Sequence, residues 1–200
     1  MTIDKQAQKT SLDSTTCVAT PSLPAWVAAD LSSRQCFLAW HVPTAVPSDP
    51  ILSWLLDSGS LTARLKSLSG DDFAVSVSSE SWEVLTDDEF LARFGDLPVE
   101  QKFWSRKVIL SGRGEDWVFA HTLVPESALG GELGEVLQLG RRPLGEWLFE
   151  QRDLQRSPIE ICRLNEEVWA RRSWFFVDDK PLLVAEFFLP ALLALPAPLA

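Results

Sequence analysis

Apolar side chains recur with a period of two through much of the second half of the chain, and the positions that break the pattern carry as much information as those that keep it. In Pro181-Leu-Leu-Val-Ala-Glu-Phe-Phe-Leu-Pro190, the residues Leu182, Val184, Glu186 and Phe188 fall on one face, because successive strand side chains point to opposite sides. An unpaired carboxylate on a dry face costs on the order of several kcal/mol, so Glu186 must be protonated or answered by a cation. A second misfit lies in Phe103-Trp-Ser-Arg-Lys-Val-Ile-Leu110, where Arg106 alternates with Trp104, Val108 and Leu110 while Lys107 falls on the other face. One inward acid and one inward base predict either a structural ion pair or a polar site inside a small sheet protein.

The remaining elements follow from turn and cap signals. Residues 1–24 are polar and aperiodic, which predicts a loose leader, and the core starts near Trp26, so that 25–200 form one domain. Asp49 is suited to cap a helix with Pro50 at its first position, placing Ile51, Trp54 and Leu55 on one face. Leu61 to Leu65 reads as a second short helix. Residues 73–77 and 82–85 alternate as two strands, and Thr86-Asp-Asp-Glu89 is a capping-box pattern for a helix that stops at Gly95. Strands over 103–110 and 117–124 are joined by a glycine-bearing hairpin through 111–116. Glu126 to Leu139 is helical in pattern despite Gly130, Gly131 and Gly134, Gly140 ends it, and Pro143 opens a further helix through Phe149. Strands at 158–164, 171–177 and 181–189 close the chain. Hairpin-linked strands with helices gathered in two blocks indicate an α+β single domain with an antiparallel β-sheet flanked by helices.

Composition narrows the function. The chain has 200 residues, 46% of them hydrophobic, enough for one domain with a substantial core. A net charge of −10 with no basic stripe argues against a nucleic-acid partner, yet two or three local arginines outweigh a distant negative surface for a small anion, since salt screens charge beyond about 8 Å. Cys17, Cys36 and Cys162 are an odd number without CxxC spacing, and the N-terminus lacks a signal pattern; a reduced, cytoplasmic chain is expected. The apolar stretch from Phe187 to Ala200 is broken by Pro190, Pro196 and Pro198 and is shorter than the ~20 residues of a membrane span, so it is expected to wrap the domain. With His41 and His121 the only histidines, a histidine-rich metal site is excluded.

Seven segments in order, Trp54-Leu-Leu-Asp-Ser-Gly-Ser-Leu-Thr62, Phe103-Trp-Ser-Arg106, Trp117-Val-Phe-Ala-His-Thr-Leu-Val-Pro125, Leu139-Gly-Arg-Arg-Pro-Leu-Gly145, Ile159-Glu-Ile-Cys-Arg163, Ala170-Arg-Arg-Ser173 and Pro181 to Pro190, resemble the bacterial chorismate pyruvate-lyases. That family makes 4-hydroxybenzoate and pyruvate from chorismate at the start of ubiquinone synthesis. The resemblance implies a chorismate lyase-like fold, a monomer, chorismate as substrate and no cofactor. It further implies that Arg106 and the backbone of Leu144 hold the ring carboxylate, that Glu186 meets the other end of the ligand, and that Leu61 contacts it from a helical flap. His121 stands where the family often has an arginine near the entrance, and a neutral imidazole does not replace a permanent bidentate cation. Ala120 stands where a glycine is common.

Chorismate is a dicarboxylate whose ring becomes aromatic when enolpyruvate leaves, so the enzyme needs mainly to position it and stabilise charge. Arg106 offers a planar fork, and the Leu144 N–H, at the second residue of a helix opened by Pro143, is a free donor. Glu186 then either orients the 4-hydroxyl or ether oxygen or moves the ring proton as a general acid or base; Arg106 and Glu186 are the catalytic candidates. Arg141, Arg142, Arg171 and Arg172 read as solvated surface, with Arg171 or Arg172 available to neutralise substrate. The rivals are a small-acid sensor or a carrier of the same fold that binds without turnover.

Overall fold

Pairing partners, which period-two alternation leaves open, are set by the backbone ladder. The computed structural model describes residue 40, residues 47–98 and residues 100–195; the expected leader over 1–24, the core start near Trp26 and the last five residues of the tail lie outside them. The described strands are β1 (Ala74–Val84), β2 (Lys102–Gly112), β3 (Glu115–Pro125), β4 (Gln155–Arg156), β5 (Glu160–Arg163), β6 (Trp169–Val177) and β7 (Lys180–Phe188). They form one sheet in the order β1-β2-β3-β7-β6-β4, with β5 also on β6, and every pair is antiparallel. The fold is the expected α+β domain.

Both long hairpins turn on two residues with positive φ, Arg113 and Gly114 between β2 and β3, and Asp178 and Asp179 between β6 and β7. This conformation matches the right-handed twist of the flanking strands. The runs 73–77 and 82–85 are one strand: a register shift between Val77 and Ser79 carries the polar middle across, because ladder hydrogen bonds to β2, not apolar periodicity, hold it there.

The helices are α1 (Asp49–Leu55), α2 (Leu61–Ser69), α3 (Asp88–Ala92), α4 (Leu144–Glu150) and α5 (Pro190–Leu193). Cap positions shift by one residue from the expected ones. Ser48 precedes α1 and Asp49 lies in its first turn; Asp87, not Thr86, caps α3 by accepting from the Phe90 N–H at 2.7 Å; and Pro143 is itself the cap of α4, so that Leu144 is its first residue rather than its second. Residues 126–139 form no α-helix but two 3-10 segments, Glu126–Ala128 and Gly131–Gln138. Gly131 takes φ +63°, and this left-handed residue breaks the run that the apolar spacing alone would have continued.

Each sheet face has its own core. Phe103, Ile109, Phe119, Leu183 and Phe187, odd-numbered residues of β2, β3 and β7, form one core with Phe90 and Phe94. On the opposite face, α1 and α2 cover one half through Trp54, Leu55, Leu61 and Leu65. The other half lies under Leu139, Trp147 and Leu148. Buried Leu192 of α5 joins the first of these halves, as expected of a tail that wraps the domain.

Candidate active site

The two halves of this second face do not close on each other. Between them lies a cleft of about 580 Å³ counting its open mouth, floored by Val108, Leu110, Ala120, Thr122 and Val184 and roofed by Leu61, Leu144 and Leu148. Its floor is low over Val108, Ala120, Thr122 and Val184, which are small or β-branched, whereas Phe119, Leu123, Leu183 and Phe187 stand on the other face. Gly145 lets the roof helices meet: a Cβ there would stand 2.7 Å from the Thr62 hydroxyl.

Four charged side chains line this apolar slot: Arg106, Arg156, Arg171 and Glu186. Arg106 reaches in from β2 and is 2% exposed. Its Nε donates to Glu80 at 3.0 Å and its Nη2 to the carbonyls of Gly140 and Arg142 at 2.5 and 3.4 Å; its Nη1 makes no hydrogen bond among the described residues. Burial lowers its pKa from the ordinary arginine value, partly offset by Glu80. The loop before α4 thus holds the guanidinium with carbonyl oxygens.

Glu186 stands two strands away on β7. Through the registers Val108–Ala120 and Ala120–Glu186 it lies one residue pair along from the row of Arg106, so the two Cα atoms are on the order of 12 Å apart. Arg171 supplies the cation that the apolar face demanded: its Nε donates to Glu186 Oε2 at 2.5 Å. Its Nη1 donates to the carbonyls of Trp54 and Asp57, which ties the connection between α1 and α2 to the acid. Glu186 Oε1 makes no hydrogen bond among the described residues and remains for the cleft. Arg106 and Glu186 are therefore not each other's ion-pair partners; each has its own.

Of the residues expected at the site, Arg106, Leu61, Leu144 and Glu186 share the cleft. His121 does not. It projects from the opposite face of β3, 3% exposed, with Nε2 2.7 Å from the Ser105 hydroxyl; alternation puts it on the other side from Ala120 and Thr122, which floor the cleft. Burial first, then the positive charge of Lys107, pushes its pKa well below the ordinary value. Arg171, expected at the surface, is 1% exposed; its alternation with Trp169, Ser173 and Phe175 is the same signal that marked Arg106. Arg172, on the other face, is also buried and donates to Glu160 at 2.8 Å. Arg156 carries no periodic signal in the sequence, since it sits on a two-residue strand too short to show one.

A sequence profile described as chorismate lyase matches residues 37–194. The chain belongs to the chorismate lyase family. A probable chorismate pyruvate-lyase 2 of Pseudomonas fluorescens is 42% identical over 159 residues, covering 74% of this chain and 86% of the relative. For a probable chorismate pyruvate-lyase of Pseudomonas aeruginosa the identity is 38% over 182 residues, covering 86% and 94%. Among solved structures, PhnF from Mycobacterium smegmatis is similar at a TM-score of 0.49 and 15% identity, over 72% of this chain and 70% of that one. Within the chorismate lyase match fall all four charged side chains of the cleft, from Arg106 to Glu186.

Proposed function

We propose that this chain is a chorismate pyruvate-lyase, converting chorismate to 4-hydroxybenzoate and pyruvate without metal or organic cofactor, at the first step of ubiquinone synthesis. The observation that carries the proposal is the narrow apolar slot with a buried arginine on one side and a carboxylate oxygen turned into it on the other. A flat six-membered ring fills the slot over Ala120, Thr122 and Val184. Its carboxylate takes the remaining donor of Arg106 and the backbone N–H of Leu144, and its para oxygen meets Glu186 Oε1. Leu61 closes over the ring.

In this pose the ether C–O bond to the enolpyruvyl group breaks, the ring carbon that bears the hydroxyl loses its proton, and the enolpyruvate gains a proton on its methylene to become pyruvate. Aromatisation drives the step, so the protein's work is orientation and charge stabilisation. Glu186, held in place by Arg171, accepts a hydrogen bond from the hydroxyl and is placed to accept the ring proton. With the arginines inside a cleft and a net charge of −10 over the chain, the partner is a small anion and not nucleic acid. We place the enzyme, as a monomer, in the cytoplasm; among the described residues no helix is long and apolar enough to cross a membrane.

The test is incubation of the purified protein with chorismate in EDTA, following 4-hydroxybenzoate by absorbance and pyruvate by coupled reduction. Equimolar appearance of both is expected. Loss of turnover in EDTA with recovery on adding a divalent metal would remove the cofactor-free mechanism, and tight binding of 4-hydroxybenzoate without turnover would leave a sensor or carrier.

A further inference from the structure

The charges in the cleft do not balance. Arg106 is paired with Glu80 and Arg171 with Glu186, while Asp57, whose charge also acts on Arg156, is taken by Arg64 at 3.0 Å. Arg156 has no ion pair among the described residues. Its Nε donates to the Ser173 hydroxyl at 3.0 Å and its Nη1 to the Ser58 carbonyl at 3.2 Å, both neutral acceptors. Its Nη2 makes no hydrogen bond among those residues. The guanidinium lies over the Phe175 ring at 4.9 Å, which fixes its plane. Burial lowers its pKa, and the neighbouring charge of Arg171 lowers it further, with Glu186 and Asp57 acting the other way. A partly buried guanidinium held by neutral groups is a site prepared for an anion that arrives from outside.

Arg156 also stands in the right place. It enters from β4, across the sheet from Arg106 on β2, beyond β7 and Glu186. Resting on the lyase reading above, we infer that Arg156 binds the second carboxylate of chorismate, the one on the enolpyruvyl group, while Arg106 binds the ring carboxylate. The leaving group therefore departs from the Arg156 side of the cleft. His121, expected near the entrance, is on the wrong face for this, and Arg156 fills the role from a different strand. The product 4-hydroxybenzoate has only the ring carboxylate, so it needs Arg106 and not Arg156.

That difference gives a test in the full-length protein, measuring the chorismate KM and the 4-hydroxybenzoate inhibition constant for wild type, Arg156→Gln and Arg156→Lys, with thermal unfolding alongside. For Arg156→Gln the chorismate KM is expected to rise about 10- to 100-fold, the scale of a lost charge-assisted hydrogen bond, while the product constant stays within about twofold of wild type. Arg156→Lys keeps the charge and loses the fork, so its KM should fall between the two. If the glutamine variant does not fold, the lysine variant decides by the same split. An unchanged KM in a folded variant, or parallel weakening of chorismate and product, overturns the assignment and leaves Arg156 a structural residue. A wild-type protein that neither binds nor converts chorismate overturns the assignment together with the lyase reading.

Discussion

At Glu186, one side chain combines an unused oxygen with a fixed one, and the two roles fail differently on mutation. Glu186→Gln keeps shape and hydrogen-bonding capacity but cannot take up a proton, so kcat should fall roughly 100-fold or more with product affinity near native. A near-native kcat in steady-state assays would restrict Glu186 to orientation, with the proton passing directly to the leaving enolpyruvate. Arg171, whose side chain is 2% exposed, carries the complementary prediction. Arg171→Met strands the acid on an apolar face and strips donors from the Trp54 and Asp57 carbonyls; urea unfolding should show a loss of about 3 kcal/mol. Adding Glu186→Leu should recover much of it. Additive losses in that cycle would mean that the pair is not coupled. The misfit of Glu186 was readable from four residues of alternation. Which arginine answers it was not, because Arg106 and Arg171 show the same local pattern and only strand order puts one beside the acid.

Among the elements, the roof of the cleft depends on one close approach. Gly145 of α4 meets Thr62 of α2, and Gly145→Ala would put a methyl group 2.7 Å from the Thr62 hydroxyl. The helices must part, at a cost of about 1–3 kcal/mol, and 4-hydroxybenzoate binding should weaken because Leu61 and Leu144 ride on these two helices. Thr62→Ala in the same chain removes the clashing oxygen, so calorimetric affinity and unfolding midpoint should both move back toward wild type; a double variant as impaired as Gly145→Ala would place the defect elsewhere. The starts of α1 to α4 were legible to within one residue. The segment at 131–138 misled because its apolar spacing suits an α-helix, while the conformational freedom of its glycines favours a tighter path.

For the whole molecule, pH acts through groups far from the cleft. His121 is held neutral by burial and by Lys107, whereas in the unfolded chain it takes up a proton near pH ~6.5. Its contribution is therefore complete above about pH 6.5 and lost as pH falls toward its depressed folded value. Burial tends to raise the Glu160 carboxyl, but hydrogen bonds from Arg93 and Arg172 prevail and hold it below its ordinary value of 4.5, adding a loss of the same sign below about pH 4.5. Denaturant melts should show stability declining from pH 7 to pH 5, and His121→Gln should flatten that slope; an unchanged slope would acquit the histidine. A cleft walled on both sides should also hold its product, so progress curves should bend early and added 4-hydroxybenzoate should compete with chorismate. Curves indifferent to product would mean a different pose.

By itself the sequence determined the strand faces, the hairpin turns, the single α+β domain and the inward direction of Arg106 and Glu186, since each follows from spacing within a few residues. Tertiary structure alone decided that Glu186 is paired with Arg171, 15 residues away, that Arg171 also grips carbonyls 114 and 117 residues away, and that Arg156 reaches the same cleft from the far strand. Those contacts depend on the order and register in which the strands pair, a cooperative property of the whole sheet that no local period encodes.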